Sequence, residues 1–136
     1  MVEVGNPAGR LITFRVRSPV DDGNADHAAG ELRRAVQGVE GQVVVCSDLT
    51  EARTFSPETT ERFIALMKTD NPRLERSALL VSADSATFVL QLERMLRAAN
   101  SPVRRTFREP QELIDWLRPS LTPSEQTALV AFLGAP

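Results

Sequence analysis

Two short runs of uninterrupted apolar residues, Val43 to Cys46 and Ala78 to Val81, stand out from a chain whose other hydrophobic positions recur periodically. Such runs, bounded by polar turns, are how strands buried on both faces read, so both are expected at the centre of a sheet. Upstream, LITFRVR sets Ile12, Phe14 and Val16 against Thr13, Arg15 and Arg17, the period of two of a strand with one wet face. Val2, Glu3 and Val4 precede it, and the turn formers Gly5, Asn6, Pro7 and Gly9 between them predict an antiparallel hairpin. Val103 to Phe107 alternates again and reads as an edge strand.

Elsewhere the period is that of a helix. From Asp26, Ala28, Leu32, Ala35, Val36 and Val39 form a stripe closed by Gly38 and Gly41. A second helix begins at Ser56, carries Phe63, Ile64 and Met67 on one side and ends at Asp70-Asn71-Pro72. The clearest stripe is Phe88, Val89, Leu92, Met95, Leu96 and Ala99, ended by Asn100-Ser101-Pro102. Leu113, Ile114 and Leu117 follow on a short helix stopped by Pro119. Thr122-Pro-Ser-Glu125 is then a capping box with proline at the first helical position, leading into Leu129, Val130, Phe132 and Leu133.

The order β-β-α-β-α-β-α-β-α-α predicts a mixed, mostly parallel sheet of four to five strands, with an N-terminal hairpin and helices packed on it. Right-handed crossovers running one way place successive helices on the same face. The central strands, apolar on both sides, then need cover on the other face from the first helix, the C-terminal helix or a second copy of the chain.

Composition narrows the function classes. At 136 residues, 42% hydrophobic and 25% charged, the chain is expected to form one domain over residues 1–136. A net charge of -2 and a pI near 5.5 give no pull toward nucleic acid or anionic membranes. Apolar runs fall far short of the ~20 residues that span a bilayer, and the N-terminus has no basic-then-apolar leader pattern, so a cytoplasmic protein is expected. One cysteine, Cys46, and one histidine, His27, provide neither a disulfide nor Cys/His metal-ligand spacing.

Candidate chemistry is sparse. Asp48 and Asp84 follow the central strands and should emerge at the carboxyl edge of the sheet, where open α/β folds bind ligands. With Ser47, Thr50, Ser82 and Arg53 they could hold Mg²⁺ or an anion; turn and cap duty explains the same residues. A receiver-like phosphoaspartate site needs a lysine after a later strand, whereas Lys68, the only lysine, lies inside a helix. Ser56 before Pro57 is a preferred N-cap as well as a hydroxyl that a kinase could reach. His27, beside Asp26, reads as a surface residue, because no Gly-x-Ser-x-Gly elbow exists for it to activate, and Cys46 sits in an apolar strand where its thiol stays protonated. No phosphate-binding glycine motif is present. Arg94, Arg97, Arg104, Arg105 and Arg108 make either a docking patch or a solvated face that guards the edge strand. Trp116 fits the domain rim, as core support or partner surface. Phe63, Met67, Phe88 and Leu92 are core residues or the wall of a ligand pocket between helices and sheet.

The opening hairpin, VVVCSDLTEARTFSPETTERF, ERSALLVSAD and VRRTFREPQELIDWL together resemble the SpoIIAA-like, or STAS-like, group of small bacterial α/β domains. The resemblance covers most of residues 2–118, as a pattern of elements, and leaves residues 120–136 as a C-terminal helical extension. It implies a regulatory domain that docks protein partners, with relatives linked to lipids or other small hydrophobic ligands; neither role is enzymatic. Signalling members carry a phosphorylatable serine in an Asp-Ser-Ser-Gly-like turn at a helix start. Here the region from Ala52 to Thr59 has no glycine, Pro57 removes an N–H, and Glu58 adds a negative charge, all opposing a phosphate at Ser56.

The expectation is therefore a non-enzymatic STAS-like module without cofactor or metal. Its contact surface is the loop bearing Asp48, Thr50, Arg53 and Ser56, with Ser82 and Asp84 at the polar edge, and its partner is a protein or a second copy in a homodimer. The alternative is a carrier or sensor of a small apolar ligand or lipid in a pocket lined by Phe63, Met67, Phe88 and Leu92.

Overall fold

The computed structural model describes residues 2–17 and 20–134. Its five strands are β1 (Val2–Ala8), β2 (Leu11–Arg17), β3 (Val43–Glu51), β4 (Leu74–Leu80) and β5 (Arg104–Phe107). Its five α-helices are α1 (Asp22–Gln37), α2 (Pro57–Asp70), α3 (Ala86–Ala99), α4 (Pro110–Leu117) and α5 (Pro123–Leu133). The sheet order is β1-β2-β3-β4-β5, with β1 antiparallel to β2 and every other pair parallel.

Because each crossover steps the same way, α1, α2 and α3 share one face. There Phe14, Val16, Leu49, Leu79 and Val81 meet Ala25, Ala28, Phe63, Phe88, Leu92 and Met95, and Val36 closes the amino-terminal end over Ile12, Val43 and Val45. The opposite face belongs to α4 and α5: Leu113, Ile114, Leu117 and Leu129 cover Leu11, Val44, Cys46, Ala78, Leu80 and Phe107. Alternation along β3 therefore feeds two cores, and the C-terminal helix covers the second within the chain itself.

Several boundaries differ from those the pattern predicts. β1 runs through the presumed turn formers to Ala8, with a register shift after Gly5, and only Gly9 takes a positive φ of 47°. Pro7 is tolerated because β1 is an edge strand. α1 starts at Asp22, ahead of Asp26, because Asp21 caps it by accepting from the Asn24 N–H at 2.7 Å. β3 continues past its apolar run, since Arg15 pairs with Asp48 and Arg17 with Glu51. The supposed wet face of β2 is not wet: Thr13 is 6% exposed, and Arg15 lies under α5.

α5 is fastened at both ends. Glu125, buried at 2% exposure, accepts from the Thr122 N–H at 2.8 Å and from the Arg10 N–H at 2.7 Å, joining the capping box to the hairpin turn. A Cβ at Gly9 would collide with the Glu125 carboxylate, so the turn needs glycine for room as well as for conformation. At the other end the Arg15 guanidinium lies 4.3 Å from the Phe132 ring centroid and donates to the Phe132 carbonyl at 2.5 Å. A cation at a helix C-terminus complements its dipole.

Candidate functional site

The apolar side chains on the α1–α3 face do not fill the space beneath the helices. A cavity of about 60 Å³ remains, bounded by Phe14 and Leu79 from the sheet, Phe63 and Met67 from α2, and Leu92 and Met95 from α3. Phe88 is not on its wall; it stacks edge-on against Phe55 at 5.4 Å. Phe55 does reach the wall, packing 5.3 Å from Phe63, although it belongs to the segment at residues 52–56 that joins β3 to α2. Gln91 of α3 holds that segment: its Oε1 accepts from the Phe55 N–H at 2.8 Å and its Nε2 donates to the Phe55 carbonyl at 2.9 Å.

Two charged side chains border this apolar space. Asp70, the last residue of α2, is 7% exposed; burial pushes its carboxyl above the usual carboxylate range, against the opposing pull of Arg104, Arg33 and Arg73. Arg104 enters from β5, its pKa lowered by burial to about 10 while the Asp70 charge opposes that shift. It donates to the Met67 carbonyl at 3.1 Å and to Asn71 Oδ1 at 3.3 and 3.4 Å.

The carboxyl edge of the sheet is organised differently. Asp48 and Thr50, expected in a loop, lie within β3. Asp48 Oδ2 accepts from Arg15 Nε at 3.1 Å, and its Oδ1 accepts from the Thr50 hydroxyl at 2.7 Å and N–H at 3.1 Å. The carboxylate thus orients the arginine that secures α5. Ser56 caps α2, accepting from the Thr59 N–H at 3.1 Å and donating to Asp22 Oδ1 at 3.0 Å. Bonds from Thr59 and Ser56, with the Arg62 charge, hold the Asp22 carboxyl below its ordinary range.

Thr50 and Arg53 border a polar recess of about 330 Å³, together with Arg17, Glu51 and Ser85. Asp84 and Ser82 form a separate turn, where the Asp84 N–H donates to Ser82 Oγ at 3.2 Å, and Asp84 is not brought against Asp48. His27 lies on the exposed side of α1, 3.0 Å from Glu31, and Cys46 is buried, its thiol pushed far up in pKa by burial and by the Asp48 charge. Of the arginine cluster, Arg104 is half-buried at the cavity, while Arg105 lies 5.0 Å from the Phe107 ring and 6.0 Å from Trp116.

Sequence reasoning missed Asp70, Arg104, Phe55 and Gln91 as parts of one site. The available signal was Asp70: an acid in the last turn of a helix is disfavoured by the dipole and has no role in capping.

No family model matches the chain, and no curated protein matches it. The crystal structure of an uncharacterized protein of the DUF3478 family from Shewanella loihica PV-4, described as having a SpoIIAA-like fold, superposes with a TM-score of 0.65. The fold is SpoIIAA-like. The superposition covers 85% of this chain and 93% of that one at 20% identity, a likeness of fold. Among the described residues, no helix of this SpoIIAA-like domain is long and apolar enough to cross a membrane.

Proposed function

We propose that the chain is a non-enzymatic, cytoplasmic STAS-like regulatory module that senses a small apolar ligand. The ligand occupies the cavity beneath α1–α3, and a protein partner reads the segment at residues 52–56. The observation that carries this reading is the cavity itself, about 60 Å³, partly open and lined mostly by apolar side chains of the core. Protein interiors tolerate few voids larger than a water molecule. At about 24 cal/mol per Å³, a sealed void of this size costs roughly 1.4 kcal/mol, the upper bound for this partly open one.

The segment at residues 52–56 supports the sensing half. Phe55 touches the cavity while Arg53, two residues earlier, borders the outer recess, so a ligand that displaces Phe55 also moves the surface beside it. The engagement of Asp48 with Arg15, the capping role of Ser56 and the buried Cys46 thiol favour binding over catalysis.

Native mass spectrometry of the full chain purified from its own host tests the proposal. A reproducible noncovalent mass, lost in a folded Ser47→Leu variant that fills the cavity wall, is the expected result. A clean apo chain from the same preparation would overturn the ligand half. A second reading, docking without a ligand, is favoured by the polar recess at Thr50 and Arg53; it predicts a partner or a second copy whose binding Arg53→Glu abolishes and Ser47→Leu leaves intact.

A further inference from the structure

The two charged residues at the cavity restrict what it can hold. Resting on the ligand reading above, we propose that the cavity selects a neutral amphiphile of the alcohol class, its hydroxyl donating to Asp70 and accepting from Arg104 while its chain lies among Phe14, Phe63, Leu92 and Met95.

Asp70 and Arg104 border the same space, yet among the described residues they form no direct ion pair, and the Asp70 carboxylate makes no hydrogen bond. Two of the Arg104 nitrogens are committed to Asn71 and Met67, and its Nη1 makes no hydrogen bond among the described residues. This end of the cavity therefore sets an acceptor, the Asp70 carboxylate, beside a donor, the Arg104 guanidinium, in a mostly apolar lining.

Charge decides among head groups. An ammonium head would suit Asp70 but would meet Arg104, with Arg33 and Arg73 also acting on that carboxyl. A carboxylate head would suit Arg104 but would face Asp70. A hydroxyl both donates and accepts, so it satisfies both residues without adding charge. Size limits the chain: an engineered cavity of about 150 Å³ admits benzene, so the roughly 60 Å³ here holds a few carbons and the rest of a six-carbon chain extends through its open side. Met67 and Met95, unbranched and adaptable, can repack for a longer chain.

The test follows the ¹³C-methyl resonances of Met67 and Met95 in the full chain, titrated separately with 1-hexanol, hexylamine and hexanoate at neutral pH. Expected is saturable binding of 1-hexanol at least tenfold tighter than of the two charged probes. In Asp70→Asn, 1-hexanol should weaken about tenfold and hexanoate should strengthen, a reversal that mere loss of packing would not produce. If 1-hexanol and both charged probes bind alike, the head-group assignment fails while the cavity reading stands. If hexanoate or hexylamine binds best, the assignment is overturned. If no probe moves either methyl, the cavity reading itself fails. Should the variant not fold, the wild-type panel alone decides.

Discussion

Replacing Glu125 tests whether α5 is an integral part of the domain. Its carboxylate accepts the Thr122 and Arg10 N–H groups at 2.8 and 2.7 Å from a position only 2% exposed. Glu125→Ala removes half of the capping box and leaves both donors without their acceptor. Loss of a cap costs about 1 kcal/mol and loss of a charge-assisted bond about 1.5–3 kcal/mol; with partial rehydration of the freed groups, a total of about 2–4 kcal/mol follows. For a domain of this size that lowers Tm by roughly 8–16 °C, read by circular dichroism at pH 7. The pH dependence carries a sign. Burial raises the carboxyl's pKa, but the Thr122 and Arg10 N–H groups, the Thr122 hydroxyl and the Arg10 charge outweigh it and hold the group below its ordinary 4.5. A lowered folded pKa means stability present above 4.5 and lost as pH falls through the folded value, so the gap between wild type and Glu125→Gln should narrow in acid. An alanine variant within about 0.5 kcal/mol of wild type, the range of an ordinary surface change, or a Glu125→Gln gap constant down to about pH 3, would refute the reasoning.

Asp48→Ala should free Arg15 from its orienting partner, costing about 1–2 kcal/mol and speeding amide exchange in the last turn of α5 while α2 stays protected. Ser56→Ala should cost about 1 kcal/mol by chemical denaturation, the worth of an N-cap. Leu92→Ala, enlarging the cavity at a residue 1% exposed, should cost about 2–5 kcal/mol, and a saturating apolar ligand should recover part of it in a thermal-shift assay. For Asp70 the sign is opposite to that of Glu125: a carboxyl raised by burial favours the folded state below its ordinary 3.8 and loses that advantage as pH rises through the folded value. Asp70→Asn should therefore melt above wild type at pH 7, with the difference disappearing below about pH 4, in paired melting curves.

The element order, the mostly parallel sheet and the capped starts of α2 and α5 were legible because each rests on a local signal: an apolar run, a stripe, or Ser or Thr before Pro. What was illegible depends on which polar residue faces what. Arg15 alternates with Phe14 and Val16 as a water-facing residue would, and only the distant α5 makes its face interior. The polar tail of β3 was hidden because Ser47, Asp48 and Thr50 resemble turn formers, although Ser47, Asp48 and Glu51 remain paired to β2. Asp70 and Arg104 are 34 residues apart on different elements, so no spacing rule connects a helix-terminating acid to one arginine of a basic cluster.

Whether the space beneath α1–α3 receives a ligand is read most plainly from a crystal of the chain equilibrated with xenon. Dry apolar cavities of sufficient size take up this gas. Xenon density is expected between Phe14, Phe63, Leu92 and Met95, on the same side of the sheet as Asp70. A core closed by Met67 and Met95, with no xenon between the helices and the sheet, would contradict it.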